Sequence, residues 1–429
     1  MTRRLVFLIF AVTLRVFCLS SYSLISTYYP QHIKQPPYNQ HHPSEFTGYV
    51  IASFSVTYGL GSIVIGYFSL KSYGSKFCLV TGQFLVGGAW ILFAALDYVT
   101  EWRYFFALSL ALRLAIGLGT ASVDVSSFSL VISSYPDKVG FVSSVMELSW
   151  SLGNLIGPPL GGFLYDWKGF MMPTGTLGIC LLLFTFIAMF MPTTESLEPS
   201  YTSENHIPTK QYIRLVCSVW AMLTCVSVYL ITLSFSFPQA TLSDFLHTKF
   251  DFSPRQVAFV FLASGVANVI VLPVVGRLCD VIHPRWFVPS GIITAGAGGF
   301  FLMSFGHSIV LQVLAQVFIG IATALSFGSC YTDLYKEFCR KLQIEKLDET
   351  ASGKVYSAFI IFANFGDITG SASGGVTADL LGFTKTALIW GIIMTSFGGV
   401  YLLLFIISRL CHRCKARPLW RKCSVETGD

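Results

Sequence analysis

Long apolar runs dominate the sequence and leave little room for a soluble fold. Twelve such runs, the first at about residues 5–29 and the last at about 385–409, are long enough to cross a hydrocarbon core of about 30 Å as helices. Charged residues make up only 12% of the chain, about half the share that is typical of soluble domains. The sequence therefore predicts an all-α integral membrane protein with twelve transmembrane helices.

The basic residues are spread over many short loops. They form no dense patch, which argues against a nucleic-acid partner despite the net charge of +6. With the N-terminus placed in the cytoplasm, twenty of the 28 Lys and Arg residues fall on the cytoplasmic side. The positive-inside rule then predicts that both termini are cytoplasmic. The expected partners are the lipid bilayer and a small molecule, and the chain is expected to be monomeric.

A polar segment after the sixth run divides the chain into two halves. It is rich in Thr, Ser, Glu, Asn and Pro and contains almost nothing apolar, which is typical of a linker. The predicted domains are an N-terminal six-helix bundle at 1–192, a cytoplasmic linker at 193–213, a C-terminal six-helix bundle at 214–410 and a cytoplasmic tail at 411–429.

A glycine-rich stretch lies in the fifth run. Gly153, Gly157 and Gly161 recur at a spacing of four, so one helix face lacks side chains and lets a second helix approach closely. Pro158 interrupts the same run and Gly162 completes it. Neighbouring helices in a membrane can satisfy the carbonyl groups that a proline leaves free. We predict a closely packed helix that can kink.

The glycine-rich stretch recurs in the second half at a constant offset of 213 residues. Gly366 to Gly375 repeats Gly153 to Gly162, and Asp367 stands at the position equivalent to Asn154. An internal repeat of six spans predicts two pseudo-symmetric bundles that face each other across the membrane.

Ionisable side chains within the apolar runs mark candidate functional positions, because a charge at mid-bilayer costs about 2.5–3.5 kcal/mol. Arg113 and Asp124 share one face of the fourth run but lie about 16 Å apart along its axis, so they are not expected to pair. In the fifth run Glu147 precedes Asn154 by two helical turns, with Trp150 between them. A carboxylate beside aromatic rings can hold an organic cation.

The eighth run ends in a short basic turn, Gly276-Arg277-Leu-Cys-Asp280. Arg277 and Asp280 are candidates for an ion-pair latch between neighbouring helices at the cytoplasmic surface. The alternative interpretation is a solvated helix end.

Two six-helix halves joined by a cytoplasmic linker resemble the major facilitator superfamily over nearly the whole chain. Gly153 to Gly162 is similar to the antiporter motif of that superfamily, and Arg113 to Ala121 is similar to its fourth-helix motif associated with proton coupling. More narrowly, the chain resembles the vesicular amine transporter family, and within it the vesicular polyamine transporter branch. The segments that carry this likeness include Tyr22-Ser-Leu-Ile, Tyr29-Pro30-Gln31 and Met146-Glu147-Leu148.

This resemblance implies proton-coupled antiport of a cationic amine into an acidic vesicle by alternating access. On this hypothesis, buried carboxylates hold either a proton or the amine, and Arg113 takes part in proton coupling. The candidate substrate- and proton-binding residues are Glu147, Asp124, Asp367, Trp150, Asn154 and Tyr22.

Three alternatives remain open: an organic anion or monocarboxylate carrier that uses Arg15 and Arg113, a plasma-membrane drug:proton antiporter, and a sensor that binds its ligand without moving it. No nucleotide-binding loop, nucleophile arrangement or metal-ligand cluster stands out in the sequence. Neither an enzyme nor a cofactor is therefore expected, and the proton is the predicted coupling ion. No role is assigned to the cysteines of the tail, Cys411, Cys414 and Cys423.

Overall fold

The computed structural model describes six segments of the chain, with parts of some helices described along the backbone only. The segments are 2–65, 74–134, 139–190, 214–306, 308–343 and 349–416. Side chains are not described at 2–8, 129–130, 132–134, 139–147, 280, 349–354, 356–357 and 411–416. The predicted linker, the tail beyond residue 416, and the side chains of Glu147, Asp280, Cys411 and Cys414 therefore lie outside the described residues.

Helices are the regular secondary structure of the first half in the part that the structure describes, and short turns and loops connect them. The first helix continues past its end through a short 3₁₀ turn, Leu24–Ser26, and a short helix, Tyr29–Lys34. The long helices of this half are α1 Thr2–Ser23, α2 Pro43–Val64, α3 Ser75–Ala94, α4 Trp102–Ser134, α5 Val139–Lys168 and α6 Met171–Phe190.

The second half has the same plan. Its third long helix, α9, is built from three consecutive pieces: Phe287–Ile293, a π-helical stretch Thr294–Phe300, and Phe301–Ser304. The other long helices are α7 Val219–Phe250, α8 Pro254–Val281, α10 Ile309–Leu342, α11 Glu349–Leu381 and α12 Phe383–Ala416.

Ten of these helices, as far as they are described, are long and apolar enough to cross a membrane. The remaining two, α5 and α11, are 30 and 33 residues long but are not among the ten. Both carry the glycine-rich stretch, in which glycine, serine and polar residues replace large apolar side chains. Side chains near the start of both helices lie outside the described residues, so this comparison covers only the described part of each helix.

The internal repeat extends to the turns that follow α5 and α11. Gly169 and Gly382, again 213 positions apart, adopt φ angles of +73° and +87°. This left-handed conformation suits glycine because it has no Cβ. Each glycine ends its helix and reverses the chain into the next one.

The glycine stripe of α5 packs mainly within its own bundle. A Cβ on Gly153 would lie 2.9 Å from the Cβ of Leu19, and one on Gly157 would lie 2.9 Å from the carbonyl oxygen of Ser20, so both glycines face α1. In the second half, Gly370 faces α7 in the same way, 2.8 Å from the carbonyl oxygen of Leu233. Missing side chains thus allow backbone contact between the paired helices α1–α5 and α7–α11.

Candidate substrate site between the bundles

A partly enclosed cavity lies where the two bundles meet. It offers about 60 Å³ to the centres of water-sized molecules, enough for several waters. Polar side chains from both halves line it: Arg15, Ser151, Asn154, Ser264, Asn268, Thr323, Asn364 and Asp367. Four aromatic side chains also line it: Tyr58, Trp150, Phe235 and Phe327.

The first-half wall of the cavity carries a neutralised pair of charges. Arg15 of α1 forms a buried ion pair with Asp124 of α4. Tyr58 of α2 donates a hydrogen bond to the other carboxylate oxygen of Asp124 at 2.9 Å, and Arg15 Nη1 donates to Ser149 Oγ of α5 at 3.1 Å. One network therefore ties four helices of the first bundle together and cancels the charge of the cavity-lining arginine.

The second-half wall carries the carboxylate of Asp367, which is 8% exposed. Ser236 of α7 donates a hydrogen bond to Asp367 Oδ1, and the hydroxyl of Tyr22 from α1 lies 3.5 Å from the same atom. Tyr22 and Ser236 are themselves 2.9 Å apart. Within the described part of the chain, no Lys, Arg or His side chain pairs with Asp367, so its partners are neutral hydroxyl groups.

Asn154 occupies the position on α5 that is equivalent to Asp367 on α11. Its amide nitrogen donates to the carbonyl oxygen of Trp150 at 3.1 Å, which leaves Oδ1 as the free end of the side chain. That oxygen is buried and has no hydrogen-bond partner among the described protein atoms. A neutral hydrogen-bond acceptor thus stands on one wall where a carboxylate stands on the other.

Aromatic rings surround this polar centre. The Tyr22 ring lies 6.0 Å from the Trp150 ring and 6.5 Å from the Phe235 ring, measured between centroids. The Tyr58 ring lies 6.3 Å from the Trp150 ring, again between centroids. Faces of aromatic rings attract cations, so this surrounding suits a positively charged ligand more than a negatively charged one.

Arg113 lies away from the cavity lining and is fully buried. Its guanidinium donates hydrogen bonds to three backbone carbonyl oxygens, those of Ser21 at 2.7 Å, Val50 at 3.2 Å and Tyr22 at 3.3 Å. It also lies 4.9 Å from the ring centroid of Phe54. Arg113 therefore anchors α1 at Tyr22, whose hydroxyl reaches Asp367.

The structure brings most of the predicted site residues together. Trp150, Asn154 and Asp367 line the cavity, while Tyr22 and Asp124 contact residues that do. The side chain of Glu147 is outside the described residues, so its place on the cavity wall stays a prediction from the helical spacing.

Of the predicted antiporter motif, Gly153 and Gly157 face α1, Gly161 faces the 3₁₀ turn that follows α1, and Gly162 faces α8 of the other bundle. Pro158 is buried within α5. At the predicted cytoplasmic latch, Gly276 and Arg277 are exposed at the end of α8. The side chain of Asp280, the other half of that latch, is not described.

The sequence reading did not identify the partner of Arg15, or Tyr58 and Asn268 as part of the site. The pairing of Arg15 with Asp124 joins positions 109 residues apart, and no local pattern signals it. Asn268 was detectable in principle, because a lone amide inside the apolar run of α8 is a typical mark of an internal polar site. The Oδ1 atom of Asn268 lies 3.4 Å from Oγ of Ser151, which belongs to the other bundle.

Two repeated helical bundles with a buried polar cavity between them define a multi-pass membrane transporter rather than an enzyme. The sequence model of the Major Facilitator Superfamily matches residues 11–343. The chain therefore belongs to the Major Facilitator Superfamily.

Named relatives and a solved structure agree with this assignment. The MFS-type transporter SLC18B1 of Mus musculus is 27% identical over 409 residues, covering 93% of this chain and 86% of that protein. The probable vesicular acetylcholine transporter-B of Danio rerio is 26% identical over 196 residues, covering 44% and 38% of the two chains.

Among solved structures, a bacterial homologue of the human lysosomal transporter Spinster, in an inward-facing and unoccupied conformation, superimposes with a TM-score of 0.74. The match covers 94% of this chain and 98% of that one at 12% identity, which supports the fold alone.

Proposed function

We propose that this transporter exchanges protons for organic cations, polyamines or related amines, and moves the amines into acidic vesicles by alternating access. The chain would bind the amine from the cytoplasm, rock its two bundles, and release the amine where protons are abundant. Resemblance to the vesicular polyamine transporter branch supports the choice of amine, and the vesicular name of the Danio rerio relative supports the compartment.

One observation carries the proposal: Asp367 lines the cavity without a cationic partner among the described residues. A buried carboxylate in a membrane needs a compensating proton or cation, because an isolated charge is costly there. A protonated amine can supply that compensation, and so can a proton. The two ligands would compete for one site, which is the basis of an exchange mechanism.

The arginines give the anion-carrier alternative less support. Arg15 reaches the cavity, but its charge is compensated by Asp124. Arg113 does not line the cavity and donates to backbone carbonyl groups instead. An anion entering the cavity would meet the Asp367 carboxylate and an Arg15 already paired with Asp124, and it would not reach Arg113.

Tyr22 provides a route by which Asp367 could influence the first bundle. Its hydroxyl contacts Asp367 of the second bundle, while its backbone carbonyl accepts a hydrogen bond from Arg113. Loss or gain of a ligand at Asp367 would therefore act on α1 at the residue that Arg113 anchors. We assign Arg113 this positioning role in proton coupling.

The proposal is tested by uptake of radiolabelled amines into proteoliposomes that contain the purified protein and are more acidic inside. We expect spermine and spermidine to accumulate, and collapse of the proton gradient to stop accumulation. Inhibition by organic anions but not by amines would instead support the anion carrier. Saturable binding without any flux would support the sensor.

Two substitutions separate the contributions of the candidate carboxylates. Glu147→Gln tests the residue that the sequence placed on α5, and Asp367→Asn tests the one that the structure places in the cavity. If both variants transport amines as well as the parent protein, carboxylate exchange is wrong. Asp251→Asn is a matched control, since Asp251 is an exposed residue at the end of α7.

A further inference from the structure

The helices that carry the repeat each end in an aspartate to which the exchange mechanism assigns no role. Asp166 lies near the end of α5 and Asp379 near the end of α11, and the two are again 213 positions apart. Both lie on the side of the membrane opposite to the chain termini. Each one reaches across to a helix of the other bundle.

Asp166 closes the first of these contacts, the α5–α8 clasp. Its Oδ2 atom accepts hydrogen bonds from the hydroxyl of Ser253 at 2.9 Å and from the backbone N–H of Arg255 at 3.2 Å. Pro254 is the first residue of α8 and has no N–H to donate. The carboxylate thus accepts a hydrogen bond from the first backbone N–H group of α8.

Asp379 closes the second contact, the α11–α2 clasp. Its Oδ2 atom accepts a hydrogen bond from the backbone N–H of Glu45 at 2.8 Å. Helix α2 also begins with a proline, Pro43, so this donor lies in its first turn. The side chains of His42 and Glu45 place potential ligand atoms within 4.8 Å of Asp379, so the surroundings of this clasp are strongly polar.

A glycine one turn before each aspartate brings the two helices close enough for this contact. A Cβ on Gly162 would lie 2.8 Å from the Cβ of Ala258, and one on Gly375 would lie 2.9 Å from the backbone carbon of Ser44. These glycines are equivalent in the repeat, and both face the opposite bundle. The two clasps therefore share a glycine, an aspartate and the start of a partner helix that begins with proline.

We propose that Asp166 and Asp379 are paired positioning residues of the transport cycle, which hold the two bundles together on the side opposite to the termini. Both clasps must open before the cavity can face that side. A carboxylate at a helix N-terminus is stabilised by the free N–H groups and by the helix dipole. The proposal depends on the fold and not on the identity of the substrate.

Further contacts between the bundles surround the clasps. On the same side, Lys34 pairs with Asp244 and Gln31 donates to the carbonyl oxygen of Phe252 at 3.1 Å. The clasps are thus part of a larger closed surface, and each contributes a fraction of its stability. An exposed helix-terminus charge changes an equilibrium about two- to fivefold, so we expect about threefold for each clasp and about tenfold for both.

Hydrogen–deuterium exchange of the reconstituted full-length protein tests the proposal. Asp166→Asn should increase exchange in the first turns of α8, and also in the first turns of α2, which Asp166 does not touch. Asp379→Asn should increase exchange in the first turns of α2, and also in the first turns of α8, which Asp379 does not touch. Exchange reports the open population, so the increase should be about threefold in each single variant and about tenfold in the double variant.

Spread of the effect to the distant helix distinguishes a clasp from an ordinary helix cap. If Asp166→Asn affects exchange in α8 alone, or in neither helix, the two aspartates do not hold the bundles together and the proposal is wrong. Asp166→Glu should restore the parent exchange pattern, and the control Asp251→Asn should leave it unchanged. None of these readouts requires transport, so failure of the amine hypothesis would be seen separately.

Discussion

The two walls of the cavity are built from equivalent helices but carry different electrostatics. In the first half, Arg15 and Asp124 cancel each other and Asn154 is neutral. In the second half, Asp367 meets only hydroxyl groups among its described partners. The repeat therefore places polar groups on both walls, while among the described side chains the uncompensated charge lies on the second-half wall.

This asymmetry explains how a symmetric scaffold can bind an asymmetric ligand. Packing is shared by both halves, because the glycines of α5 and α11 contact α1 and α7 in the same manner. Charge is distributed unequally among the side chains that the structure describes. The cationic group of a ligand would be drawn to the second-half wall, while the first-half wall offers a neutral acceptor and aromatic rings.

Removal of the charge on the second-half wall should have the largest effect. We expect Asp367→Asn to reduce proton-driven amine uptake to background while the protein stays folded, since the amide fits the same space and keeps one acceptor oxygen. Uptake is measured in proteoliposomes with equal amounts of folded protein. Activity within twofold of the parent would show that the charge on the second-half wall does not determine uptake.

Disruption of the neutralised pair should have the next largest effect, and it should act on folding. Arg15→Gln leaves the buried Asp124 unpaired, which typically costs about 3–5 kcal/mol. Asp124→Asn should be similarly harmful, whereas the double variant removes both charges and should recover much of the loss. Thermal unfolding in detergent measures this cycle. Strictly additive losses would show that the pair is not a neutralised unit.

A second carboxylate on the first-half wall should change selectivity. In Asn154→Asp the cavity would carry carboxylates at equivalent positions of both bundles. The KM for a dication should therefore fall relative to the KM for a monocation. We expect the ratio of their KM values to shift about tenfold, equivalent to about 1.4 kcal/mol. Asn364→Asp is the matched control, because it adds the charge to the wall that already holds Asp367. An equal shift in both variants would contradict the difference between the walls.

The sequence was sufficient to predict the membrane class and the repeat, because these depend on hydropathy and spacing, while the superfamily was predicted from the resemblance of its motifs. Apolar runs dictate helices, and the offset of 213 relates Asn154 to Asp367 without any structure. Even the tight turns follow that offset, as Gly169 and Gly382 show.

Pairing between helices could not be predicted in the same way. Arg15 and Arg113 look alike in sequence, since each is a lone arginine in an apolar run. The structure gives one a carboxylate partner and the other three backbone carbonyl groups. The difference depends on which helices pack together and at what depth in the bundle each arginine lies. Helical periodicity predicts neither of these.

The glycine stripes should show the smallest effect and test the shared part of the comparison. Helix propensity alone favours alanine over glycine by up to about 1 kcal/mol, so Gly88→Ala, where no atom lies within 4 Å of the new Cβ, should be neutral or stabilising. In Gly157→Ala and Gly370→Ala the Cβ would meet the backbone of a neighbouring helix, at a typical overpacking cost of about 1–3 kcal/mol. Thermal unfolding of the three variants compares them directly. Equal losses at Gly157 and Gly370 are expected if the halves share their packing and differ only in charge, whereas a loss confined to one half would mean that the repeat has diverged in its framework as well.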